Sequence, residues 1–131
     1  MPLRCLLVDD NEAFLQTASL LLEREGLTVM GVASNIAGAL RQARALRPDV
    51  ILVDIGLGDE SGFDLARLLT GNGQEDREAQ RGQGVSADVI LISTAAEADY
   101  AELIAESPAA GFLAKSELSA RGISRILGST S

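Results

Sequence analysis

Two apolar runs in this 131-residue chain end in carboxylates: LLVDDNEAF (6–14) carries Asp9 and Asp10 side by side, and VILVD (50–54) closes on Asp54. Two further runs end in groups of another kind, DVILIS (88–93) in Ser93 followed by Thr94, and GFLAK (111–115) in Lys115. Adjacent like charges at the rim of a core oppose each other's ionisation, so the pair needs compensation. If the runs are parallel strands, their ends share one rim and Asp54 joins Asp9 and Asp10 there. A hard, oxygen-seeking cation is the usual remedy. Mg²⁺ fits best, because it binds through one or two carboxylates, keeps several waters and leaves positions for phosphate oxygens. Lys115 and a hydroxyl would add positive charge and a hydrogen-bond donor, which an added phosphoryl group needs.

The elements that must position these groups follow from hydrophobic period. LRCLLV (3–8) precedes Phe14, Ala18, Leu21 and Leu22, one face of a helix that Asp10 or Asn11 can cap and Gly26 can stop. TVMGVA (28–33) reads as a second strand. Asn35 then opens a helix through Ile36, Leu40, Ala43 and Arg47, closed by Pro48. VILVD is the third strand, followed by a short helix over 63–69. DVILIS is the fourth, followed by a helix over 96–105, and GFLAK the fifth. Ile123, Ile126 and Leu127 mark a final helix capped by Ser119. Continuous aliphatic runs signal strands buried on both faces, as in a parallel sheet between helices. Five such units predict a doubly wound α/β fold, whose ligands sit at the strands' carboxyl ends. One segment breaks the rhythm: residues 71–86, GNGQEDREAQRGQGVS, hold four of the 13 glycines and read as a mobile loop.

Composition narrows the function classes. The net charge of −8 argues against broad electrostatic binding of nucleic acid or anionic membrane. With no histidine, His-based catalysis and His metal ligation are excluded. The single Cys5 allows no intrachain disulfide, and no run approaches the ~20 residues of a membrane span, so a cytoplasmic location is expected.

In VDDNE, ILVDIGLGDESG, ILIST and FLAK, taken in that order, the sequence resembles the receiver domain of bacterial two-component response regulators. The resemblance spans essentially the whole chain. It implies a flavodoxin-like five-stranded parallel sheet of order 2-1-3-4-5 with helices on both faces. It implies a phosphoacceptor at Asp54, a direct Mg²⁺ ligand at Asp10, a water-mediated one at Asp9, and a backbone carbonyl ligand from Gly56. Lys115 would pair with a phosphoryl oxygen. Ser93, with Thr94 as its rival, would be the switch hydroxyl, and Phe112 the aromatic that turns inward with it. The implied partners are a sensor histidine kinase or histidine phosphotransfer protein as donor, and a downstream protein or an output domain on another chain. Neither nucleic acid nor membrane is expected as a direct partner, and the scheme leaves room for a phosphorylation-dependent dimer.

Taken singly, these residues have plainer uses: Asp10 as a cap, Asp54 in a turn, Lys115 on the surface, Phe112 in the core. Their joint placement at strand ends favours the phosphoacceptor. Ser116 and Gly58 stand where the family commonly has proline, which puts the geometry of both loops in question. Gly56 and Ala95 lack side chains able to orient a hydrolytic water. The receiver pattern runs to about Leu127, so a single receiver over 1–131 is expected, either stand-alone or excised from a longer regulator. The rivals are an interaction module of the same fold that works without phosphorylation, and an aspartyl-phosphate phosphatase, which would want a DxD motif on the first strand.

Overall fold

A computed structural model describes residues 3–70, 87–95 and 97–129. In chain order the elements are β1 (Arg4–Val8), α1 (Glu12–Arg24), β2 (Thr28–Ala33), α2 (Ile36–Leu46) and β3 (Val50–Asp54). A small hairpin of β4 (Gly56–Leu57) and β5 (Glu60–Ser61) follows, then α3 (Gly62–Thr70) and β6 (Asp88–Ser93). A 3₁₀ turn (Glu97–Tyr100) runs into α4 (Ala101–Glu106); β7 (Gly111–Ala114), a second 3₁₀ turn (Lys115–Glu117) and α5 (Ala120–Ser129) complete the chain. Five strands pair in parallel in the order β2-β1-β3-β6-β7. Allowing for the two hairpin strands in the numbering, this is the expected 2-1-3-4-5 order of a flavodoxin-like sheet.

Successive strand side chains point to opposite faces. On one face Leu6, Val8, Ile51, Val53, Val89 and Leu91 meet α2 and α3; on the other Cys5, Leu7, Val50, Leu52, Ile90 and Ile92 meet α1 and α5. Burying a Leu or Ile side chain stabilises by roughly 1.5–3 kcal/mol, so β1, β3 and β6 form the most firmly held part of the molecule. Cys5 lies in that core, and burial, with the charge of Glu23, pushes its thiol up to about 12, leaving it inert at neutral pH.

Asn11, not Asp10, caps α1: its Oδ1 accepts the Phe14 N–H at 3.1 Å. With the helix started there, its buried stripe is Leu15, Ala18 and Leu22, while Phe14 and Leu21 are half-buried at its margins. Leu27 N–H reaches Leu22 O and Gly26 N–H reaches Glu23 O, closing the helix with Gly26 at φ 101°. Asn35 caps α2 and Ser119 caps α5, as expected.

Two expectations need correction. The helix expected over 96–105 is instead a 3₁₀ turn and the six-residue α4, which has no fully buried side chain. The sequence of α4 is mostly Ala and Glu; among the described residues of the segment only Tyr100 and Ile104 pack on the core, too few to hold a longer helix. Strands β1 and β7 are also each one residue shorter than their apolar runs, leaving Leu3 and Lys115 outside the sheet. The loop expected over 71–86 lies outside the described residues.

Helix α3 begins hard against the end of β3. Gly62 N–H donates to Ile55 O at 2.6 Å, and a Cβ on Gly62 would sit 2.9 Å from Ile55 Cα and closer still to the Asp54 carbonyl oxygen. Gly62→Ala is therefore expected to cost about 1–3 kcal/mol in urea unfolding. Gly128→Ala, where nothing lies within 4 Å, should be neutral or mildly stabilising. Equal midpoints for the two variants would contradict this account.

Candidate functional site

The carboxyl edge of the sheet collects the groups singled out in the sequence. Asp9 N–H donates to Ala33 O (3.0 Å), continuing the β1–β2 ladder by one residue and drawing the Asp9 carboxylate into full burial. Its Oδ1 accepts the Asn11 N–H at 2.8 Å, and its Oδ2 lies 2.6 Å from Lys115 Nζ. The latter contact is an ion pair without the alignment of a hydrogen bond. Asp10 is exposed and makes no hydrogen bond among the described residues. At the end of β3, Asp54 is 9% exposed; its Oδ1 accepts the Gly56 N–H at 3.4 Å and its Oδ2 the Lys115 ammonium at 3.4 Å. Asp9, Asp10 and Asp54 each offer an oxygen, all three within 4.8 Å of one another.

The electrostatics follow from this crowding. Burial, reinforced by the charge of Asp9, pushes Asp54 up to about 6, against the opposing pull of Lys115 and the Gly56 amide. Burial alone would lower Lys115, but the approach of Asp9 and the charges of Asp54 and Asp9 outweigh it and hold the ammonium above its ordinary range. Three carboxylates against one ammonium leave the fully ionised cluster two negative charges in excess. That surplus, on three carboxylates whose oxygens lie within 4.8 Å of one another, is what a divalent, oxygen-seeking cation fits.

Ser93 ends β6 beside Ala114 of β7 and is buried; its Oγ accepts the Ala95 N–H at 3.0 Å, while Thr94 is exposed. Phe112, opposite Leu91, is half-buried and packs against the core on the α2–α3 face, as do Tyr100 and Ile104. Tyr100 is itself half-buried, 6.4 Å from Phe63 between ring centroids. Gly56 is exposed and pairs with Ser61 in the hairpin. At its tip Gly58 has φ 67°, which proline cannot adopt, so the missing proline suits the turn this chain makes. The Lys115–Ser116 peptide bond is trans.

Three contributors escaped the sequence reading. The Phe14 ring centroid lies 4.3 Å from Lys115 Nζ, Asn11 holds Asp9, and Glu60 Oε1 accepts the Ile36 N–H at 2.8 Å, tying the hairpin to the start of α2. One signal was available: Lys115 is the only lysine in the chain.

A doubly wound parallel α/β sheet binds its ligands at the carboxyl ends of its strands, the edge where this chain gathers an acid trio and a lysine. Residues 5–126 match the family model of the response regulator receiver domain, and the chain belongs to that family. A candidate transcriptional regulator of Pseudomonas aeruginosa is 31% identical over 114 residues, 87% of this chain and 50% of that protein. The chain thus spans half the length of this curated relative. The signal receiver domain of a modulated diguanylate cyclase from Desulfovibrio desulfuricans superposes with a TM-score of 0.75 at 28% identity, covering 98% of this chain and 93% of that one. A response regulator from Burkholderia pseudomallei, solved with a phosphorylated aspartic acid, a calcium ion and citrate, gives a TM-score of 0.70 at 28% identity, covering 95% and 65%. Among the described residues no helix is long and apolar enough to cross a membrane.

The raised Asp54 carries a stability signature. The folded protein holds that proton more tightly than the unfolded chain, so stability falls as pH rises from about 4 to about 6, and the deficit persists above that. Without divalent cations, Asp54→Asn is expected to stabilise the protein by about 1–3 kcal/mol at neutral pH, an advantage that shrinks towards pH ~4. Thermal melts across that range check this, and an advantage independent of pH would refute it.

Proposed function

We propose that this receiver accepts a phosphoryl group on Asp54 from a phosphohistidine partner, and thereby switches a surface for protein contacts. An Asp54 carboxylate oxygen attacks phosphorus, the P–N bond to the donor imidazole breaks, and an acyl phosphate forms on Asp54. The departing imidazole takes up a proton. The observation that carries the reading is the pairing of a buried Asp54 with Lys115 beside a second buried carboxylate. Lys115 neutralises charge on the phosphoryl oxygens, and the pocket supplies position more than chemistry. Because these 131 residues hold no histidine, the phosphohistidine lies outside them, on a sensor histidine kinase or a histidine phosphotransfer protein in the cytoplasm.

Asp10, Asp54 and the Gly56 carbonyl would hold Mg²⁺ directly, and Asp9 through water. Bound there, the ion would offset the charge of the carboxylates and the incoming phosphoryl group. The engagement of both Asp9 oxygens by Asn11 and Lys115, and the freedom of Asp10, support that division. The Burkholderia pseudomallei regulator, with its phosphorylated aspartic acid and calcium ion, supports the same chemistry. Ser93, with Thr94 beyond it, is the hydroxyl that follows the phosphoryl group, and Phe112 the side chain that responds beneath α4. The downstream contact is a protein, an output domain, or a second copy of this chain.

Incubation with acetyl phosphate and Mg²⁺, followed by mass spectrometry, is expected to show one phosphoryl group on the wild type and none on Asp54→Asn. Chelation by EDTA should slow incorporation at least about tenfold. No added mass on the wild type would favour an interaction module that works without phosphorylation. The lifetime of the acyl phosphate gives a separate check. Gly56 and Ala95 flank the site without side chains that can orient water, so a half-life of many minutes or longer is expected. A half-life of seconds would refute that inference.

A further inference from the structure

The sole lysine of the chain reaches the site on a flexible four-carbon stem, and three groups meet its ammonium: Asp9 Oδ2 at 2.6 Å, Asp54 Oδ2 at 3.4 Å, and the Phe14 ring at 4.3 Å. The two carboxylates are not dedicated to Lys115. A cation or an incoming phosphoryl group would draw on the same oxygens, loosening what they hold. The ring face has no such competitor, since its attraction for an ammonium comes from the fixed quadrupole of the π-system.

Phe14 is also held in register with the acid it complements. Asn11 Oδ1 accepts the Phe14 N–H at 3.1 Å, and the Asn11 N–H donates to Asp9 Oδ1 at 2.8 Å. The path is closed: one oxygen of Asp9 fixes the cap of α1, the capped helix presents the ring, the ring faces the ammonium, and the ammonium pairs with the other oxygen of Asp9. Elsewhere the ring is only half-buried, at the margin of the α1–α5 face of the core.

We infer that Phe14 is a positioning residue that keeps the Lys115 ammonium over the carboxyl edge while the carboxylates are engaged by other charges. The inference deepens the phosphoacceptor reading. Only its kinetic consequence rests on that reading; the contact itself does not.

Because there is one lysine, isotope labelling of lysine in the full chain gives a single ε-methylene signal by NMR. In the wild type that signal is expected upfield of free lysine through the ring current of Phe14; Phe14→Tyr should keep the displacement and Phe14→Leu should lose it. Reductive methylation of Lys115, followed by mass spectrometry on the peptide that carries it, should run about fivefold faster in Phe14→Leu. In Phe14→Tyr it should stay within about twofold of wild type. Phosphorylation by acetyl phosphate with Mg²⁺ should slow about fivefold in Phe14→Leu and recover in Phe14→Tyr. An undisplaced ε-methylene signal in the wild type overturns the proposal without any variant, as do unchanged signal and methylation rate in Phe14→Leu. If the wild type gains no phosphoryl group, the phosphoacceptor reading fails, and the NMR and methylation results still decide whether Phe14 positions Lys115.

Discussion

Asp9, Asp10 and Asp54 face one ammonium at the carboxyl edge of the sheet. Two unit charges about 4 Å apart interact by about 4 kcal/mol at an effective dielectric of 20, so a buried surplus of carboxylate is a large standing cost. The structure distributes that cost. Asp9, fully buried, receives the closest ion pair and a backbone donor. Asp10 is left in solvent, where its charge is screened. Asp54 receives the longer contact with Lys115, and its raised affinity for a proton is the part left unpaid by these contacts. A site that resists full ionisation is one that gains from a cation.

The rest of the fold holds this arrangement in place against its own repulsion. Asp9 and Asp54 stand at the ends of β1 and β3, adjacent strands whose side chains are buried on both faces, so neither carboxylate can retreat without disturbing the core. Gly62 lets α3 begin directly against the β3 end, fixing the path that follows Asp54. The hairpin continues that path, and Glu60 anchors it to α2. Lys115 directly follows β7, an outer strand whose residues are only partly buried, and reaches inward on its long stem. Asp9 and Asp54 are thus anchored by buried strands, while their counter-charge stands at the end of a long stem.

How far the sequence discloses this depends on the kind of information each part needs. The continuous aliphatic runs of β1, β3 and β6 identify a parallel sheet without ambiguity, and parallel strands bring their ends to one edge whatever their order. The strand order itself came from family resemblance, because period and composition do not distinguish 2-1-3-4-5 from other doubly wound orders. Caps were legible to within one residue: Asn35 and Ser119 were read directly, while the choice between Asp10 and Asn11 needed backbone geometry. The 96–105 segment misled because alanine and glutamate favour helix locally, whereas helix length there is set by how little apolar surface reaches the core. The spacing of Phe14 marks it as a core residue and no more, since the contact of its ring with a lysine distant in sequence leaves no mark in local pattern.

That misread segment bears on how a signal would leave the site. Between β6 and β7, α4 has no fully buried side chain, and Tyr100 and Ile104 supply its packing against the core. Segments with few buried apolar contacts open at small free-energy cost, while the central strands open only with the whole molecule. On β7, three residues before Lys115, Phe112 packs against the same core cluster as Tyr100 and Ile104. In the proposed phosphoacceptor, a shift of Lys115 towards a new charge at Asp54 would act along β7 on Phe112 and on the lightly packed α4 at once. The asymmetry between Asp9 and Asp54, anchored on buried strands, and a lightly held α4 would give a change of charge somewhere to be expressed, without requiring the sheet itself to deform.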